Sequence, residues 1–191
     1  IGHCLAMLHA ADLPMQKSIT RKERLADVHK KSRKLGQMLP ALASDLEAII
    51  ARAQSELTSL PPVQETVIHG DVHLGQFLIT ADNALALFDF DEWTRGDPAQ
   101  DLAGLIVDPH VSKFARNKTE LNHTLPSDVA RVFLASYRSH AGWTVRNATI
   151  AWHARVQLLN KAYRGAIQLE PRWREKASEL VALATKDIQL E

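Results

Sequence analysis

Residues 67–80 read VIHGDVHLGQFLIT, with His69, Asp71 and His73 inside five positions, directly after an apolar strand-like run. Such a cluster suits a metal site, a hydrolase centre or a phosphotransfer loop. Further carboxylates follow. Asp89 and Asp91 alternate with Phe90 at the end of a second apolar run, and Gln76 opens the run between. If the runs around Gln76 and before Asp89 pair as a hairpin, two or three carboxylates and one amide oxygen converge near Asp71. Hard oxygen ligands of this kind suit Mg²⁺, which keeps several waters and binds substrate phosphates. Zinc would want His or Cys in closed spacing.

The elements that must position these groups can be read from the periods. ETVIHG, QFLIT and ALALFDF read as short strands, with TADN as the turn between the last two. They interrupt an otherwise helical chain. Residues 1–11 carry Leu5 and Leu8 on one face, with Ile1 beside them, and residues 40–57 carry Leu42, Leu46, Ile49 and Ile50. GDPAQDLAGLIVD restarts the helix, with Asp97 as N-cap, Pro98 at the first position and Gln100 at the third, a variant capping box. Leu102, Leu105 and Ile106 form its apolar stripe. Residues 108–126 read as a polar loop, and helices are expected near 127–141, 145–168 and 172–187. The fold class is α+β, mostly helical, with a small hairpin sheet that carries the site.

An Asp followed five residues later by a side-chain amide, then an Asp on a neighbouring strand, is the order of a protein-kinase catalytic loop and metal-binding Asp. HGDVHLGQ followed by LFDFDEWTRGDPAQDLA also resembles the aminoglycoside phosphotransferase and choline kinase-like superfamily. Its signature is H-G-D-x-H-x-x-N, then I-D-F/W, then G-D-P-x-x-D-L-A. The opening IGHCLAMLHAADLP is similar to that family's first helix after the interlobe hinge. The resemblance covers residues 1–107 by motif and the later helices by helical character.

The resemblance implies the C-terminal lobe of a protein-kinase-like fold, an ATP- and Mg²⁺-dependent transfer to a small-molecule hydroxyl, and a role for each matching residue. Asp71 matches the catalytic Asp, His69 the His that holds the loop, and Asp101 a buried Asp that accepts hydrogen bonds from the loop. Asp89 matches the metal-binding Asp. Gln76 stands where the family has Asn as second metal ligand, and it keeps the amide oxygen on a longer chain. Asp91 is either an extra ligand or an exposed carboxylate. His73 either touches substrate or metal or packs the loop. Asp97 is expected to act only as the helix cap.

The eight glycines form no G-x-G-x-x-G, and no strand offers a V-A-I-K-like lysine. The chain opens at Ile1 inside a helical pattern. Residues 1–191 are therefore expected to be one catalytic and substrate lobe, inactive alone, with the nucleotide-binding lobe elsewhere in a longer parent. Net charge is +1, and the basic stretch 17–34 has no interleaved aromatics. Nucleic acid is thus not an expected partner, and the stretch reads as a solvated face or a phosphate patch. No apolar run reaches a bilayer span and no signal peptide is visible. With Cys4 as the single cysteine, a cytoplasmic location is expected.

The late segment mixes Glu170, Glu175, Glu179 and Asp187 with Arg164, Arg172, Arg174 and Lys176, so no acidic pocket for an aminoglycoside is indicated. Trp143, Trp152, Tyr163 and Trp173 are core residues or a sugar-stacking surface. Sugar, amino sugar and amino-alcohol acceptors remain open. Two other readings stay beside the kinase: a non-catalytic kinase-like binding module, and a metal-dependent hydrolase using the same carboxylates.

Overall fold

A capping box starts the helix that the basic stretch builds. Glu23 N donates to Thr20 Oγ1 at 3.2 Å, and Thr20 N donates to Glu23 Oε2 at 2.9 Å. The computed structural model describes residues 1–15, 17–112, 114, 127–188 and 190. Its helices are α1 (Gly2–Ala10), α2 (Arg21–Met38), α3 (Ala43–Leu57), α4 (Ala99–Ser112), α5 (Ser127–His140), α6 (Asn147–Ile167) and α7 (Trp173–Thr185). Its strands are β1 (Thr66–Ile68), β2 (Phe77–Ile79), β3 (Leu85–Leu87) and β4 (Thr94–Gly96). The fold is α+β and mostly helical, as the sequence suggests.

The four short strands form two separate antiparallel pairs. β2 and β3 make the expected hairpin, with Phe77 opposite Leu87 and Ile79 opposite Leu85. The TADN turn closes it: Thr80 N donates to Ala84 O at 2.8 Å, and Asn83 takes the left-handed conformation at φ 63°. β1 does not join this hairpin. It pairs with β4, Thr66 opposite Gly96 and Ile68 opposite Thr94. The sequence reading missed β4, because Thr-Arg-Gly carries no alternation. The third strand also stops at Leu87, so Asp89 lies beyond it in irregular chain and Asp91 in the turn that follows.

Burial follows the helical periods. Leu25, Val28, Ser32 and Leu35 form the inner face of α2, and Leu46, Ile49, Ile50 and Ala53 that of α3. Leu42 is only half-buried, because a 3₁₀ turn over Pro40–Leu42 precedes α3. In α1, Leu5 is fully enclosed, Leu8 is half-buried and Ile1 is exposed. α4 and α6 run through the centre. Trp152 on α6 is 1% exposed and donates its indole N–H to Ala53 O at 2.8 Å, fixing α6 on α3. Arg155 is equally enclosed; it donates Nε to Ala184 O on α7 and pairs with Glu56 on α3. Trp143 and Trp173 pack against the same core. Tyr163 packs against that core as well, and it also lines the cleft in front of Asp71.

α4 runs past the expected boundary. It continues through Pro109 to Ser112, so the first part of the segment expected as a loop is helical. Residues 113 and 115–126 of that expected loop lie outside the described residues. Asp97 and Gln100 also differ from the capping-box expectation. Asp97 Oδ1 accepts from Ala99 N at 2.9 Å, as a cap should, yet Gln100 does not reach back to it. Asp97 is buried and does more than cap. It pairs with Arg21 of α2 (Nε at 2.6 Å) and accepts from His153 Nε2 of α6 at 3.0 Å. Burial alone would raise this carboxyl, but His153, Arg21 and the Ala99 amide hold it down at about 2.

Candidate active site

β1 delivers the chain to a sharp turn. His69 is fully buried at its end, and Gly70 follows with φ 91°. A Cβ on Gly70 would stand 2.2 Å from Glu92 O, so only glycine fits both the dihedral and the space. Asp101, near the start of α4, holds the turn from behind. Its Oδ2 accepts from His69 N at 2.7 Å and its Oδ1 from Gly70 N at 3.0 Å. His9 of α1 donates Nε2 to Asp101 Oδ2 at 3.1 Å, and its Nδ1 lies 2.8 Å from the Tyr137 hydroxyl of α5. Burial would raise the Asp101 carboxyl, but these bonds outweigh it and hold it below the usual range. Gln100 Nε2 donates to Gly70 O at 2.8 Å, and Gln157 Nε2 of α6 donates to Gln100 O at 2.6 Å. Both the amide and the carbonyl of Gly70 are thereby fixed.

The turn presents Asp71 to an open cleft of about 410 Å³ between α2, α6 and the loop, with Arg24, Lys31, Glu92, Tyr163 and Arg164 among its lining. Asp71 is half-buried. Lys161 Nζ lies 2.6 Å from its Oδ1 and Arg164 Nη1 lies 3.0 Å from its Oδ2. Burial pushes its carboxyl up, and the two cations outweigh that and lower it.

The other carboxylates stand beside the loop. His69 Nε2 bonds to Phe88 O at 3.0 Å, and its ring packs on Phe90 at 4.9 Å. The residue two before Asp71 is therefore tied to the residue one before Asp89. Asp89 is exposed and held in the left-handed conformation at φ 70°, an uncommon state for a residue with a side chain. Gln76, 3% exposed, lies alongside: its Nε2 is 3.3 Å from Asp89 Oδ2. Its Oε1 accepts from His73 N at 3.0 Å. The amide thus turns its nitrogen toward Asp89 and its oxygen into the loop, whereas the sequence reading aimed the oxygen at the shared point. The reason is local. His73 N is the free donor at the start of the 3₁₀ turn Leu74–Gln76, and the Gln76 side chain caps it while His73 returns a reciprocal bond. His73 is accordingly built into the loop. Asp91 is exposed and joins neither group. Among the described residues, no three His, Cys, Asp or Glu side chains form a metal cage.

Several residues here escaped the sequence reading. Asp108 caps the loop by accepting from Leu74 N at 3.1 Å. His9 and Tyr137 lie far from the motif in the chain and carry no local signal. Lys161 and Arg164 do share one helix face at i,i+3, but nothing in that spacing says what they face.

The profile of the phosphotransferase enzyme family (APH) matches residues 1–148. The chain belongs to this family. Within its span lie the whole Gly70 turn, the Gln76–Asp89 pair and the Asp101 clamp. An uncharacterized protein of Deinococcus radiodurans is 37% identical over 107 residues, which cover 53% of this chain and 31% of that protein. The fold is similar to choline kinase LicA of Streptococcus pneumoniae, at TM-score 0.72 and 16% identity, over 96% of this chain and 61% of that one. It is similar to a glucosamine kinase at TM-score 0.71 and 20% identity, over 96% and 51%. A choline/ethanolamine kinase family protein of Mesorhizobium loti gives TM-score 0.68 at 18% identity, over 96% and 59%. The chain thus spans about a third to three fifths of the length of these relatives. Among the described residues no helix is long and apolar enough to cross a membrane.

Proposed function

We propose that these residues form the catalytic and substrate lobe of a kinase that transfers phosphate from Mg-ATP to a hydroxyl of a small molecule. The acceptor is a sugar, an amino sugar or an amino alcohol. The observation that carries the reading is the bond from His69 to Phe88, which ties the Asp71 turn to the Asp89 turn beside an open cleft. Phosphoryl transfer asks the protein mainly for positioning and charge stabilisation, and a carboxylate at the acceptor beside a carboxylate at the metal supplies both.

In this reading Asp71 accepts a hydrogen bond from the acceptor hydroxyl and aims its oxygen. Lys161 and Arg164 hold Asp71 charged, so it acts chiefly as an orienting group and takes the proton late. Asp89 is the metal-binding carboxylate. Gln76 fixes its rotamer through Nε2. Mg²⁺, when bound there with ATP, would neutralise charge building on the phosphates. His69 and Asp101 position the loop without touching substrate. The nucleotide-binding lobe is proposed to lie outside these 191 residues. Support comes from the apolar side chains left exposed on and just after the β2–β3 hairpin, at Leu78, Ile79 and Phe88, and from the lack of a glycine-rich phosphate loop. A cytoplasmic location is part of the same proposal.

The test is ADP release by the full-length protein with Mg-ATP and a panel of sugars, amino sugars and amino alcohols. Acceptor-dependent release should fall by at least about a hundredfold in Asp71→Asn. One observation favours the rival, a non-catalytic binding module: both Asp71 oxygens are already engaged by cations. Mg-ATP binding with no acceptor-dependent release from any compound would select that rival.

A further inference from the structure

The cleft in front of Asp71 is lined by three cations and three carboxylates, and Lys161 adds a fourth cation at Asp71. α2 sends Arg24 and Lys31 into it, with Asp27 between them at i+3, all on one helix face. α6 sends Arg164, and Lys161 reaches the same carboxylate from the preceding turn. The carboxylates are Asp27, Asp71 and Glu92. Lys31 pairs with Asp27 at 2.6 Å and also donates to Asn160 Oδ1 at 2.8 Å, which bridges α2 to α6. Lys161 and Arg164 share Asp71. Arg24 remains. Among the described residues its guanidinium makes no hydrogen bond or close ion pair, although Asp101, Asp27, Asp71 and Glu92 act on it at longer range. Burial disfavours its charge, yet a guanidinium stays protonated. Arg24 is half-buried in the wall of an open cleft, so its unbonded guanidinium N–H groups are presented to the acceptor oxygens of a ligand. Guanidinium matches phosphate and carboxylate oxygens in pairs. The apolar lining at Ile19, Tyr163 and Ile167 gives the ligand's carbon frame a place beside these charges.

We infer that the acceptor taken by this cleft carries an anionic group, phosphate or carboxylate, in addition to the hydroxyl presented to Asp71. Arg24 is its main contact, with Lys31 and Arg164 at its sides. The inference rests on the phosphotransferase reading for the hydroxyl and on the α2–α6 cleft for the anion. The basic stretch of α2 then has two faces with different roles. One is solvated, and the Arg24–Lys31 side lines the site.

The test uses the full-length protein and matched probes: glucose and glucosamine against glucose 6-phosphate and glucuronate, with kanamycin and choline as cationic controls. ADP release should give at least about a tenfold higher kcat/KM for an anionic probe than for its neutral counterpart. Arg24→Gln and, separately, Lys31→Gln should raise the KM of that probe by about tenfold or more while the KM for ATP stays unchanged. Neutral or cationic acceptors that perform equally well or better overturn the inference. So do variants that lower turnover of every acceptor alike and raise the KM for ATP, because the cations would then serve the transferred phosphate. If no probe releases ADP, calorimetric binding of the same probes decides. An anionic probe that binds and weakens by about tenfold in Arg24→Gln supports the site and removes the kinase reading. Lack of binding by either anionic probe at millimolar concentration overturns the inference.

Discussion

Gly70, Asp101 and Gln100 define the site at the scale of single residues. Gly70→Ala must place a methyl group 2.2 Å from Glu92 O at a positive φ. The turn has to move, and ADP release should fall by about tenfold or more while the circular dichroism of the helices is kept. Asp101→Ala removes the acceptor for two backbone N–H groups, of His69 and Gly70, and for His9; His9 and His69 are deeply enclosed. Leaving these donors unmet should lower stability by about 3–5 kcal/mol in chemical denaturation. His69, Asp71 and Asp89 were legible in the sequence by type and spacing. The amide direction of Gln76 was not, because it depends on which neighbour most needs a bond, and that neighbour is His73 N.

At the scale of elements, the long helices followed their apolar periods. The ends of α5, α6 and α7 lie within two residues of the expected ones, since Pro171 and Gly142 punctuate the chain. α2 also carries a legible start signal in Thr20 and Glu23. Thr20→Ala should cost about 1 kcal/mol of stability, read as a shift in denaturation midpoint without change in slope. Strand pairing was harder to read. β1 could pair with any nearby edge, and a three-residue strand has too little alternation to choose its partner. α4 running through Pro109 is another departure: the packed surroundings of the helix, with Ile106, Val107 and Pro109 buried, override the local breaker.

At the scale of the whole molecule, the Arg21–Asp97–His153 hub joins α2, the start of α4 and α6 at one buried carboxylate. The folded Asp97 pKa, about 2, lies below its ordinary 3.8. Its contribution is therefore complete above about pH 4 and is lost as the pH falls toward 2, where the folded form also takes up its proton. That amounts to about 2 kcal/mol. Stability followed by denaturant midpoint should drop across this window, and Asp97→Asn should flatten the drop. The variant should also be less stable at pH 7, because Arg21 and His153 lose their acceptor.

By itself the sequence determined the helical periods, the hairpin turn, the His69–Gln76 loop motif and the likeness to a phosphotransferase family. All of these live in short stretches, where local spacing fixes which side chains share a face. Only the tertiary structure decided the partners across the chain: His9 on Asp101, Lys161 and Arg164 on Asp71, and Arg24 facing the same cleft from α2. These groups lie many tens of residues apart, and their meeting depends on how α1, α2 and α6 pack around α4 and the loop. No local pattern encodes that packing, because the free energy that selects it is spread over the whole buried core.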